Sequence, residues 1–101
     1  MYDMKNISLL GKFGELTPDA WKGFLDFDKA AMADGAIPAK TKELIAIAVT
    51  MTTQCPYCIE IHVKKARAAG CTDAEIAEAV MVAAALRAGA AITHGTHCFN
   101  H

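Results

Sequence analysis

Cys55-Pro56-Tyr57-Cys58, with His62 four residues further on, is the part of this sequence whose residue types and spacing can do chemistry. Two thiols three positions apart at a helix start lie on one side of the first turn, close to backbone N–H groups that have no intrahelical acceptor. The helix dipole and the second thiol both lower a cysteine pKa, and the thiolate is the form that attacks a peroxide or a disulfide. An imidazole one turn beyond Cys58 can lie over the sulfur and exchange a proton with it. Cys55, Cys58 and His62 therefore form one line on one helix face, suited to thiol redox catalysis. The same CxxC spacing also occurs in zinc knuckles and iron–sulfur proteins. A structural zinc site here would need a second ligand pair, and the C-terminal His94, His97, Cys98 and His101 are the candidates.

The flanking residues set the frame for this dithiol. Pro56 suits the first turn of a helix running to Ala69 and stopped by Gly70. The preceding helix follows Pro38, turns Leu44, Ile47, Ala48 and Met51 inward and Lys40 and Lys42 outward, and frays near Thr52, Thr53 and Gln54. An earlier helix opens at Thr17-Pro18-Asp19, with a capping hydroxyl, a proline in the first turn and an acid at the positive dipole end. It is expected to reach about Asp34, with Trp21, Phe24, Leu25, Asp28 and Met32 on one stripe and Gly35 ending it. Thr72 and Glu75 have capping-box spacing and open an alanine-rich helix whose Ile76, Val80, Ala83, Ala84 and Ala90 are expected to face inward. The alternation of Ile45, Ile47 and Val49 sits inside a longer helical pattern, so nothing reads as a strand. The expectation is an all-α fold of four to five helices forming a single domain over residues 1–101.

Composition narrows the function classes. The net charge of −1, from ten basic and eleven acidic residues, offers no basic field for a phosphate backbone, which argues against nucleic acid. A hydrophobic content of 53% in 101 residues exceeds what so small a core can bury, and burial between subunits is the natural outlet. The start of the chain lacks the basic stub and apolar core of a secretory signal, which points to the cytoplasm. The longest uninterrupted apolar run, residues 79–86, is broken by Arg87 and falls short of the roughly 20 residues of a membrane span. A buried helix is expected there, not an anchor. Thiols in a cytoplasmic chain stay reduced, so the four cysteines point to redox chemistry or metal rather than a disulfide framework. Cys71, in a helix–helix turn, reads as a small packing residue, and Met4, Met32, Met51 and Met81 as core filling.

Residues 38–48 (PAKTKELIAIA), 55–62 (CPYCIEIH) and 85–91 (ALRAGAA) together resemble the alkyl hydroperoxidase D-like branch of the carboxymuconolactone decarboxylase family, over about three-quarters of the chain. The resemblance implies an all-helical fold assembled as homo-trimers or homo-hexamers. It also implies reduction of hydroperoxides through a cysteine sulfenic acid and an intramolecular disulfide, with no bound cofactor. By motif position Cys58 is then the attacking thiolate, Cys55 the resolving thiol, and Glu43 with His62 the proton relay. Glu43 carries no signal of its own, since beside Lys40 and Lys42 it reads as a solvated acid. Thioredoxin-like logic makes the first cysteine the nucleophile instead, and the His62 spacing favours the second. Tyr57 stands where fuller peroxidases of the family often carry a histidine, which weakens peroxidase chemistry more than disulfide exchange. The reset requires an external dithiol, which in the family can be a lipoyl group. Two other readings accompany this one: a metal-binding helical module built on the CxxC and the C-terminal His/Cys cluster, and lactone decarboxylation, a reaction with no use for a dithiol.

Overall fold

A computed structural model describes residues 2–100, and among them five α-helices and two 3-10 segments account for almost all the regular structure, with no strand. A 3-10 segment, Met4–Leu10, runs directly into α1 (Gly11–Leu16); α2 (Pro18–Met32), α3 (Ala39–Thr53), α4 (Pro56–Ala68) and α5 (Asp73–His94) follow, and a second 3-10 segment, Gly95–Phe99, continues α5. The all-α expectation holds, and the helix openings at Pro18, Pro38, Pro56 and Thr72 fall where the capping and proline signals put them.

The core is where α3 meets α4 and α5. Ile47 and Ala66 are 1% and 0% exposed, Cys71 is buried beside them, and Leu44, Met51, Ile76, Ala79 and Val80 pack around this group. Cys71 is thus the packing residue its turn position suggests, its Sγ placed 3.7 Å from the Lys40 carbonyl, to which it donates. The capping box that opens α5 is complete. Thr72 N–H donates to Glu75 Oε1 at 2.8 Å and Glu75 N–H to Thr72 Oγ1 at 3.1 Å, which satisfies two of the helix-start donors reciprocally. Gly70 takes φ +90° between α4 and α5, a conformation that disfavours any side chain.

Several expectations are corrected. The stripe on α2 is only partly covered: the helix has no buried residue, Trp21, Asp28 and Met32 are half-buried, and Phe24 and Leu25 are exposed. Trp21 is instead stacked between Phe13 of α1 and Phe24, with centroid separations of 5.7 and 5.5 Å. The N-terminal 3-10 segment and α1 gave no sequence signal, and they supply that aromatic partner. Thr17 does not cap α2, because its hydroxyl donates back to the Phe13 carbonyl at 2.7 Å and so closes α1. α2 stops at Met32 rather than Asp34, since Ala33 is already extended and Asp34 turns its carboxylate to accept the Ala39 N–H at 2.6 Å, at the start of α3. On α5 only Ala83 is buried, while Ala84 and Ala90 are exposed. Met4 and Met81 are also exposed, so they do not fill the core of this chain.

The length of α5 also departs from expectation. With its 3-10 continuation it forms a rod over Asp73–Phe99, 27 residues long, containing a stretch of mean hydropathy 1.6 and only 6% of that stretch buried. By length and composition it reaches the range of a membrane-crossing helix, which the broken apolar run had not suggested. Arg87 lies inside that stretch, and a charge at the centre of a span costs about 3 kcal/mol on insertion scales.

Candidate active site

The chain leaves α3 through Gln54, whose φ of 56° is the left-handed conformation, and this reversal delivers Cys55 to the start of α4. Cys55 is extended (φ −93°, ψ 106°) and caps α4 with its sulfur: the Cys58 backbone N–H donates to Cys55 Sγ at 3.2 Å. Pro56 occupies the first turn, where its missing N–H costs nothing. All four cysteines are free thiols, with Cys55 and Cys58 half-buried, Cys71 buried and Cys98 exposed.

This geometry makes the two thiols unequal. Hydrogen bonding from Cys58, its side chain first and then its backbone N–H, holds the Cys55 thiol below its ordinary value against the opposing effect of burial. Cys58 is pushed up to about 11, first by its hydrogen bond to Cys55, then by burial and by the charge on the Cys55 sulfur. Of the two thiols Cys55 is therefore the more acidic, and Cys58 keeps its proton more firmly.

One turn beyond Cys58, about 6 Å along the helix axis, His62 meets a carboxylate from the neighbouring helix. His62 Nδ1 and Glu43 Oε2 are 3.7 Å apart, and the side chains are 20% and 10% exposed. Neither atom has a hydrogen-bond partner, although both are buried. A buried imidazole–carboxylate pair of this kind is not built for stability, because desolvation offsets most of any attraction. What it can do is set a carboxylate beside one ring nitrogen and leave the opposite nitrogen to exchange a proton. Glu43 reaches this position because α3 packs against α4 through the face that also carries Ile47 and Thr50. Spacing on one helix could not reveal it, and only the family resemblance pointed there.

Tyr57, between the cysteines, turns the other way. Its hydroxyl accepts from the Asp3 N–H at 3.2 Å and from Asn6 Nδ2 at 3.1 Å, and its ring meets that of Tyr2 edge-on, centroids 5.7 Å apart. At the far end of the chain, the 3-10 continuation of α5 brings His94 and His97 into edge contact, centroids 4.9 Å apart, because residues three apart eclipse in that geometry. His101 lies outside the described residues. Among the described residues no three His, Cys, Asp or Glu side chains converge on a possible metal position, so Cys98 does not join the two histidines in one cluster.

Comparison with known proteins places this site in context. Protein 4 of the cox locus of Paracoccus denitrificans is 56% identical over 71 residues, which is 70% of this chain. Protein H16_B0147 of Cupriavidus necator is 35% identical over 72 residues, or 71% of this chain. In both cases the chain spans 64% of the relative's own length. A crystal structure from Methanobacterium thermoautotrophicum superposes with a TM-score of 0.81 at 34% identity, covering 86% of this chain and 98% of that one. An apo carboxymuconolactone decarboxylase family protein from Legionella pneumophila superposes with a TM-score of 0.78 at 37% identity, covering 82% of this chain and 75% of that one. The sequence model of the carboxymuconolactone decarboxylase family matches residues 18–100, α2 to the end of the described chain, and this protein belongs to that family.

Proposed function

We propose that this protein is a thiol-dependent peroxidase and disulfide oxidoreductase that works through Cys55 and Cys58. The observation that carries this reading is the pair of free thiols at the start of α4, joined by the Cys58 N–H to Cys55 Sγ hydrogen bond that makes Cys55 the more acidic, with the buried His62–Glu43 pair one turn away.

Two entries into the chemistry follow from this difference in acidity. A disulfide substrate meets the Cys55 thiolate, which attacks one sulfur; the mixed disulfide is then resolved by Cys58, and the substrate leaves as a dithiol. A hydroperoxide is reduced by Cys58 after its proton passes to the His62–Glu43 pair. The thiolate attacks a peroxide oxygen, the O–O bond breaks, and the departing alkoxide takes the relayed proton to become an alcohol. Cys55 then attacks the sulfenic sulfur, water leaves, and the disulfide forms. An external dithiol, of lipoyl type by family likeness, reduces the disulfide and closes the cycle.

Homo-oligomeric assembly, as trimer or hexamer, belongs to the same reading. The described chain exposes 7572 Å², whereas a compact monomer of this mass exposes roughly 5,500 Å². Its radius of gyration is 16.8 Å, against about 13 Å for a compact domain of 100 residues. Leu86, Ile92, Phe27 and Phe99 are among the large apolar side chains left open. Between α3 and α5 an apolar groove of about 400 Å³ is lined by Ile45, Val49, Val82 and Leu86. Contact between copies would also account for the apolar character of α5 without a membrane, in keeping with a cytoplasmic location.

The deciding experiment is rapid mixing of the reduced, metal-free protein with hydrogen peroxide and with an organic hydroperoxide, followed by thiol mapping. Fast loss of two thiols at Cys55 and Cys58, abolished in Cys58→Ser, is the expected result. Full hydroperoxide turnover by Cys58→Ser, or a pair that stays reduced under excess peroxide, would overturn the peroxidase assignment.

A further inference from the structure

The N-terminal 3-10 segment precedes the family match, which begins at residue 18, yet it packs on α4 at the dithiol itself. Its hold is Tyr57: both hydrogen bonds to that hydroxyl come from Asp3 and Asn6, and Asn6, Ile7 and Leu10 close around the ring, leaving a cavity of about 190 Å³. We propose that Tyr57 is a positioning residue that couples docking of this segment to the redox state of Cys55 and Cys58, so that the docked segment favours the dithiol over the disulfide. This inference rests on the dithiol reading of the preceding section.

The physical argument runs through the first turn of α4. The segment is docked in the form in which both cysteines are free thiols. Oxidation by a small disulfide such as oxidised glutathione removes one proton and one electron from each sulfur and joins them, while the oxidant is reduced to two thiols. The new bond fixes the Cβ–Cβ separation near 3.8 Å and the S–S torsion near about 90°, and the sulfur that accepted the Cys58 N–H becomes a poorer acceptor. The turn must adjust. Pro56 cannot change φ, because its ring locks that angle. The adjustment is shared by the cysteine side chains, the ψ of Pro56 and the φ and ψ of Tyr57, so Tyr57 moves with the turn. A hydroxyl held by two hydrogen bonds of 3.1 and 3.2 Å, and a ring held edge-on by Tyr2, tolerate little displacement without losing those contacts. If oxidation loosens the segment, the docked segment must oppose oxidation by the same factor, because coupling between two equilibria is reciprocal.

The test compares wild type with Tyr57→Phe, which keeps the ring and removes both hydrogen bonds, in glutathione redox buffers with thiols counted by alkylation. Tyr57→Phe is expected to form the disulfide about tenfold more readily, a potential about 30 mV more negative for this two-electron couple. Asn6→Ala, which removes one of the two bonds and lies outside the dithiol, is expected to shift the equilibrium less and in the same direction. It carries the test should Tyr57→Phe misfold. Hydrogen exchange over residues 3–10 should speed up on oxidation of wild type, and be fast in both redox states of Tyr57→Phe. Equal equilibrium constants in wild type and both variants, or exchange in wild type that ignores redox state, would overturn the coupling. A wild-type pair that forms no disulfide with oxidised glutathione would overturn it together with the dithiol function. Absent hydroperoxide turnover with the redox equilibrium responding as stated would count against the peroxidase reading alone.

Discussion

Glu43 and His62 come from different helices, yet Oε2 of the one and Nδ1 of the other stand 3.7 Å apart, buried, with no hydrogen bond to either atom. Two unsatisfied polar atoms facing each other in the interior cost free energy that the fold gains nothing from. The role proposed for the pair is to move a proton. Glu43→Gln is expected to lower the rate of hydroperoxide reduction about 100-fold, within the range for general acid–base groups, while leaving disulfide exchange at Cys55 near wild type. Replacing both partners, Glu43→Met with His62→Leu, should leave the melting temperature unchanged or raise it, since apolar side chains of similar volume remove the whole buried pair. Parallel thermal melts and peroxide assays check both, and a large loss of stability in the double variant would remove the argument that this pair is kept for function.

The unequal thiols predict an order of modification. Because Cys55 titrates below its ordinary value and Cys58 at about 11, alkylation at neutral pH should label Cys55 first, and Cys58 should respond only as the pH rises far above neutral. Each shift depends on the other residue. Cys58→Ser weakens the sulfur-to-sulfur hydrogen bond, so the Cys55 titration should move up; Cys55→Ser removes the neighbouring charge, so the Cys58 titration should move down from about 11. Ultraviolet thiolate absorbance against pH in the two single variants reads both signs directly. Preferential labelling of Cys58 at neutral pH would reverse the order of acidity of the two thiols.

Assembly makes a third prediction. Leu86 is 66% exposed at the mouth of the α3–α5 groove, so Leu86→Glu should dissociate the proposed homo-oligomer by placing a charge in what would be a desolvated interface. Light scattering gives the mass before and after. A wild-type protein that is monomeric at every concentration would sink the assembly reading.

Stability should concentrate in the α3–α4–α5 core. Ile47→Ala leaves a cavity at the most enclosed large side chain and should cost about 3 kcal/mol. Thr72→Ala removes one half of the capping box and should cost about 1 kcal/mol. Substitutions on the outer face of α2, such as Lys22→Ala, break only an exposed ion pair and should stay within about 0.5 kcal/mol. Urea unfolding of the three variants ranks them, and equal losses at Ile47 and Lys22 would contradict this placement of the core.

Local sequence alone determined α2 to α5 and the position of the dithiol. Pro18, Pro38 and Pro56 start helices because a proline ring suits a first turn or the residue before it, the Thr72–Glu75 box closes on itself within one turn, and Cys55, Cys58 and His62 share a face because 3.6 residues complete a turn. All of these interactions span four residues or fewer. Tertiary structure decided what depends on contacts between elements. It brought Glu43 to His62 across the α3–α4 interface, added burial to the Cys55 hydrogen bond that raises the Cys58 thiol, turned Tyr57 toward Asp3 and Asn6, and left Phe24 and Leu25 of α2 and much of α5 exposed. An apolar face reads the same in sequence whether it covers its own core or meets another copy, because hydrophobic burial has no direction until a partner surface is in place.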